Sequence, residues 1–128
     1  MDFIHVGLVS QSQENADRFF GELLGLKKTR TSQLPREITQ GLFGVDQDCD
    51  LIYYGESGLV FEVFVMGWSE PSDRRISHTC IEVDDQAGLL TRCREMGFQV
   101  REVKKGEKVI VFIADADGNL FEVKGRAS

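Results

Sequence analysis

HVGLVS at His5–Ser10 and HTCIEV at His78–Val83 open two copies of one pattern, and the pairing of the copies decides the fold. After each opening comes an amphipathic stretch that stops at a glycine, in LGLKK (24–28) and in MGFQV (96–100). Each copy closes on an apolar strand-like run with a glutamate inside it: LVFEVFV (59–65) holds Glu62, and NLFEV (119–123) holds Glu122. The spacing from histidine to glycine agrees within one residue between the copies, as expected of an internal duplication. Two imidazoles and two carboxylates at matched places of a duplicated unit are the makings of one metal site on a pseudo-two-fold axis, with His5, Glu62, His78 and Glu122 as ligands.

Outward from these anchors, residues 2–9 read as a strand by their period of two. Ser12 is a helix cap, and Ala16, Phe19, Phe20, Leu23 and Leu24 form one face of a helix over 13–24 that Gly25 ends. Short strands are expected near 26–31, 38–45 and 49–54, with Gly44 and Asp46-Gln47-Asp48 marking a hairpin turn. Glu56-Ser57-Gly58 is a second turn, leading into a strand across 59–66. The stretch 67–75 carries Gly, Pro and charge without a period and reads as a linker between modules 1–66 and 76–128 of one domain. The second module repeats the order: strand 76–83, helix 85–96 ended by Gly97, and strands near 98–103, 108–114 and 119–124. Asp115-Ala116-Asp117-Gly118-Asn119 predicts the turn between the last two.

At 128 residues the chain suffices for one domain with a real core, and 41% hydrophobic with 28% charged residues is ordinary globular composition. A formal net charge of −6 argues against a nucleic-acid partner. No basic run suggests a membrane surface, no apolar run reaches the roughly 18 residues of a span, and the start lacks the marks of a signal peptide. Cys49, Cys80 and Cys93 lack CxxC spacing, which predicts reduced thiols and a cytoplasmic setting.

Strand period decides what accompanies each ligand. Val60, Phe64 and Met66 share the face of Glu62; Leu120 and Lys124 share that of Glu122; Cys80 and Glu82 share that of His78. A carboxylate among apolar neighbours on an inner face is costly unless paired or metal-bound. The bland alternative makes each histidine a satisfied strand residue and each glutamate a solvent-facing one, and leaves the fourfold match between the copies unexplained. Two nitrogen and two carboxylate donors suit a divalent Zn, Ni, Co or Mn ion. Phe64, Met66 and Trp68 are candidates for the floor of an apolar pocket, although such residues are as often core. Arg36 is a candidate for an anionic substrate end, against the commoner solvated loop arginine. Cys80 shares a ligand face but reads more readily as a small hydrophobe, Cys49 and Cys93 read as filler, and Tyr53 and Tyr54 as strand packing.

The H-x-G start, the helix ending in FFGELLGL (19–26) and the segment DADGNLFE (115–122) resemble the vicinal oxygen chelate superfamily over essentially the whole chain. The resemblance implies an α+β fold of two paired βαβββ modules whose curved sheets enclose a metal-binding cleft. Glyoxalase I is the most similar branch, and its metal-binding positions match His5, Glu62, His78 and Glu122 one by one. That branch implies a metal-dependent lyase or isomerase acting on a hemithioacetal or related hydroxycarbonyl by proton transfer through an enediolate, with Glu122 and Glu62 as catalytic carboxylates. It also implies a homodimer. Where the branch carries an arginine that helps hold glutathione, this chain has Val9, and where it carries an asparagine, Met66; Lys104 matches a basic residue near the glutathione carboxylate. Two lost hydrogen-bonding groups imply that the natural thiol differs from glutathione. The alternatives are a non-catalytic small-molecule-binding protein of the resistance type and an acyl-thioester epimerase.

Overall fold

The computed structural model describes residues 3–67 and 77–126. The chain divides into two compact units, Met1–Ser69 and Glu70–Ser128. Trp68 and linker positions 68–75 lie outside the described residues.

The first unit runs β1 (Val6–Ser10), α1 (Gln13–Ala16, continuing as a wider π-helical stretch Asp17–Leu23), β2 (Lys28–Leu34), α2 (Arg36–Phe43), β3 (Cys49–Tyr54) and β4 (Phe61–Val65). Its sheet has the order β1-β4-β3-β2, with β1 parallel to β4 and the other pairs antiparallel. The second unit runs β5 (His78–Val83), α3 (Gln86–Glu95), β6 (Gln99–Lys105), β7 (Lys108–Ala114) and β8 (Leu120–Gly125), in the order β5-β8-β7-β6 with the same parallel and antiparallel pairs. The duplication read from the sequence is thus a duplication of topology.

Residues paired across strands point to one side of a sheet, so register sorts each sheet into two faces. In the first unit Phe61, Val63, Ile52 and Tyr54 take the helix side, where Phe19, Phe20 and Leu23 are also buried. The Phe20 ring lies 5.3 Å from Tyr54 and 5.2 Å from Phe61, centroid to centroid. Ser12 caps α1 by accepting from the Asn15 amide at 3.1 Å, as its side-chain chemistry predicts. The extra width of the π stretch, seen in the Leu24 amide donating five residues back to Phe19, lets both phenylalanines bury. In the second unit Ile81, Phe121, Val123, Val111 and Ile113 form the buried side, and α3 adds Leu89, Leu90 and Cys93.

One expected element is of the wrong type. Residues 38–45 form no strand; α2 covers Arg36–Phe43 instead. Pro35 supplies an extended cap, the Arg36 amide donates to Asp48 Oδ1 at 2.8 Å, and Gly44 closes the helix in the left-handed region at φ 71°. The glycine read as a hairpin signal is a helix stop.

Candidate functional site

On the face of the first sheet away from Phe20, Glu62 stands in register with Gly7 on β1 and Tyr53 on β3. His5 immediately precedes β1, and its Nε2 lies 2.5 Å from Glu62 Oε2. Glu62 is buried, with Phe61 and Val63 fully buried on either side of it in the strand. Its carboxylate therefore has a nitrogen partner rather than bulk water, which answers the cost of placing it there. The Tyr53 ring meets His5 edge to face, centroids 6.5 Å apart. Tyr53, read as packing from the sequence, belongs to this site.

Gly7 matters through what it lacks. A β-carbon at that position would come within 3.2 Å of the Phe64 ring, so the glycine lets Phe64 lean toward β1 beside Val9, its register partner. Phe43 of α2 packs edge-on against Phe64 at 5.3 Å. Val9 and Phe64 are half-buried and Met66 is buried at 6% exposure, so Met66 is core more than pocket wall.

In the second unit Glu122 stands in register with Cys80 on β5 and Phe112 on β7. Cys80 thus fills the slot that Gly7 holds in the first unit. Its Sγ donates to Glu122 Oε2 at 3.3 Å, and Lys124 Nζ lies 4.0 Å from the same oxygen. Burial and the carboxylate it faces push the Cys80 thiol above its ordinary value. The His78 ring meets Phe112 at 5.0 Å, the counterpart of His5 on Tyr53. Glu122 follows the turn that begins at Asp115, whose carboxylate accepts from the amides of Asp117 and Asn119 at 2.9 and 2.8 Å and from the Asn119 side chain at 2.8 Å. Those bonds fix where β8 starts.

Each unit therefore brings a histidine and a glutamate to one sheet face, and among the described residues neither gathers three or more metal-type donors into a cluster by itself. An imidazole nitrogen and a carboxylate oxygen converging as in the first unit form a donor set fit for a divalent cation.

Two pocket candidates fall elsewhere. Lys104 pairs with Val109, on the side of the sheet that carries Glu102 and its partner Arg94 of α3, so register turns it away from Glu122. The neighbouring Lys105 takes the Glu122 side, and with Lys108 and Lys124 it borders a hollow of about 260 Å³ that reaches Glu122. One residue of register separates the expected lysine from the one observed, and only the β6–β7 pairing reveals it. Arg36 is the first residue of α2, with its guanidinium 3.4 Å from Asp46, both side chains exposed.

A model of the Glyoxalase/Bleomycin resistance protein/Dioxygenase superfamily matches residues 4–113. A search of curated protein sequences finds no significant match. Among solved structures, the trypanothione-dependent glyoxalase I of Leishmania major is similar at 21% identity, covering 98% of this chain and 86% of that one, with a TM-score of 0.76. The fosfomycin resistance protein FosX of Mesorhizobium loti is similar at 13% identity, covering 96% and 90%, with a TM-score of 0.69. A mutant FosX of Listeria monocytogenes, complexed with Mn(II) and dihydroxypropylphosphonic acid, is similar at 14% identity, covering 96% and 88%, with a TM-score of 0.71. At these identities the likeness is one of fold. Among the described residues no helix is long and apolar enough to cross a membrane.

Proposed function

Because the chain belongs to the Glyoxalase/Bleomycin resistance protein/Dioxygenase superfamily, we propose that it is a metal-dependent lyase or isomerase of the glyoxalase I kind. Its substrate is a hemithioacetal or a related hydroxycarbonyl. One His–Glu pair from each unit, His5 with Glu62 and His78 with Glu122, holds one divalent ion. The units come from one chain or from two chains of a homodimer. The observation that carries this reading is the His5–Glu62 contact at 2.5 Å, taken with the same topology of the second unit, which has its own histidine and glutamate on one face.

A divalent ion held by His5, Glu62, His78 and Glu122 would supply Lewis acidity to the substrate. The residues of the chain do the rest. Glu122, half-buried, meets Cys80 and Lys124 through Oε2, which among the described residues leaves Oε1 to take a proton from carbon. The conjugate acid then returns the proton to the adjacent carbon, so the reaction is an isomerisation with no net change of atoms. Glu62, tied to His5, is the more enclosed carboxylate of the two. Tyr53 and Phe112 back the two imidazoles and limit their swing.

The thiol is proposed to differ from glutathione. The aliphatic side chain of Val9 cannot hydrogen-bond where a polar anchor would serve, and Phe64 and Phe43 make the neighbourhood apolar. The trypanothione dependence of the Leishmania relative supports a thiol other than glutathione for a protein of this shape. The test is an assay of methylglyoxal with a panel of thiols on protein reconstituted with Ni(II), Zn(II), Co(II) or Mn(II), with fosfomycin as a separate arm. Isomerisation with a non-glutathione thiol, lost in Glu122→Gln, is the expected result. Saturable ligand binding without turnover under every metal would replace the enzyme by a resistance-type binder.

A further inference from the structure

In a chain of formal net charge −6, Arg36, Arg94 and Arg126 each meet a carboxylate: Asp46, Glu102, and Glu82 with Asp84. Arg30 meets none among the described residues. Its guanidinium lies over the Tyr53 ring, 5.3 Å from the centroid. Arg30 and Tyr53 are register partners across β2 and β3, and Tyr53 is the register partner of Glu62 on β4. The three residues thus form one row on the sheet face that also holds His5. Stacking occupies the flat face of the guanidinium and leaves its N–H edge, the part that recognises oxyanions, to a ligand.

The second unit repeats the row. Glu122 pairs with Phe112, and Phe112 with Arg101, which donates to Gln99 at 3.1 Å and likewise meets no carboxylate among the described residues. Arginine is not a structural requirement of an exposed edge strand, where any charged residue serves to block edge pairing. Its recurrence at the same row position of both units, beyond an aromatic residue that meets the histidine, ties it to the site.

We infer that Arg30, with Arg101 as its counterpart, is a specificity-determining residue that takes an oxyanion of the substrate, a carboxylate or a phospho group. This rests on the metal reading above, in which the reacting oxygens lie at the histidine–glutamate end of the row. Two strand spacings place the Cα atoms of Arg30 and Glu62 roughly 10 Å apart. The ligand is therefore a short anion whose charged group meets the N–H edge of the Arg30 guanidinium where that group rests on Tyr53.

The experiment measures Mn(II) affinity by electron paramagnetic resonance, and inorganic phosphate and acetate binding by calorimetry with and without Mn(II). The proteins are wild type, Arg30→Gln, Arg30→Lys and a control, Lys27→Gln, at an exposed lysine beside Glu56. Arg30→Gln is expected to weaken phosphate or acetate by about tenfold or more, the scale of a charge-assisted pair, with Arg30→Lys in between. Lys27→Gln should stay within about twofold, as should Mn(II) affinity in every variant, which also shows that the fold is intact. A loss confined to phosphate assigns a phospho group, and one confined to acetate a carboxylate. Wild-type binding of both probes by Arg30→Gln overturns the inference, as does an equal loss in Lys27→Gln or no probe binding by wild type. Absence of Mn(II) binding in wild type, with the Arg30 effect intact, supports the anion subsite and counts against the metal reading alone.

Discussion

Asp115 shows how a single side chain positions the site and couples it to pH. Burial pushes its carboxyl up to about 6 from an ordinary 3.8, although the donors from Asn119 and Asp117 pull the other way. A carboxyl raised in the folded state adds stability that is complete below its unfolded value and is lost as pH rises through the folded one. The stability of the wild type relative to Asp115→Asn should therefore fall between about pH 4 and pH 6, by at most about 3 kcal/mol for a shift of this size. Urea midpoints of the two proteins across that range measure it, and a constant difference would show that folding does not raise the carboxyl. Asp17 behaves oppositely. Partial burial pushes it up, but the Tyr54 hydroxyl at 2.6 Å and Lys28 outweigh that and hold it below the usual carboxylate range. Tyr54→Phe should cost about 1–2 kcal/mol at neutral pH, discounted because Asp17 is partly solvated, with the difference shrinking in acid. Thermal melts at pH 7 and pH 3 would reveal it.

At the scale of elements, local signals and pairing signals parted company. The helix ends marked by Ser12, Gly25 and Gly97 were legible because those residues cap by chemistry that lies in the sequence itself, whereas the Asp85 cap shows only in the structure. The strands of the second unit were legible to within a few residues because their apolar periodicity is undiluted. The helix α2 was not, since Ile38, Leu42 and Phe43 are exposed and Gly41 weakens the helical pattern, leaving Gly44 open to either reading. Its C-cap gives a clean check: Gly44→Ala forces a β-carbon into the left-handed region and should cost about 1 kcal/mol. Denaturant titration of that variant, with no loss, would argue that the helix end relaxes. The candidate ligands were visible as repeat positions, whereas Tyr53, Phe112, Arg30 and the Lys105-for-Lys104 exchange were not. Those depend on which residue of a neighbouring strand stands opposite, and register is a non-local property.

The whole molecule is a topological duplication with unequal contents. One unit holds its glutamate against histidine with a glycine alongside; the other holds it against a cysteine and a lysine. Equal geometry with unequal partners is how two like carboxylates come to differ in role. Glu122→Gln should accordingly reduce turnover by a factor of about a hundred or more while leaving stability nearly unchanged, since the amide fills the same space but cannot accept the proton. Val9→Arg should raise activity with the glutathione adduct if an anchor is all that is missing. Met66→Asn is the poorer test, because an amide at that buried position needs new partners.

Whether the two His–Glu pairs serve one ion, as proposed, is read from metal stoichiometry in single histidine variants. Elemental analysis after equilibrium dialysis against a limiting divalent cation should find one ion for each complete set of four donors in wild type. His5→Ala and His78→Ala should each abolish tight binding altogether, because either removes a donor from the same ion. Unchanged metal content in both variants would rule out a shared ion, and so would retention of half the metal in each, which would make the pairs two separate sites.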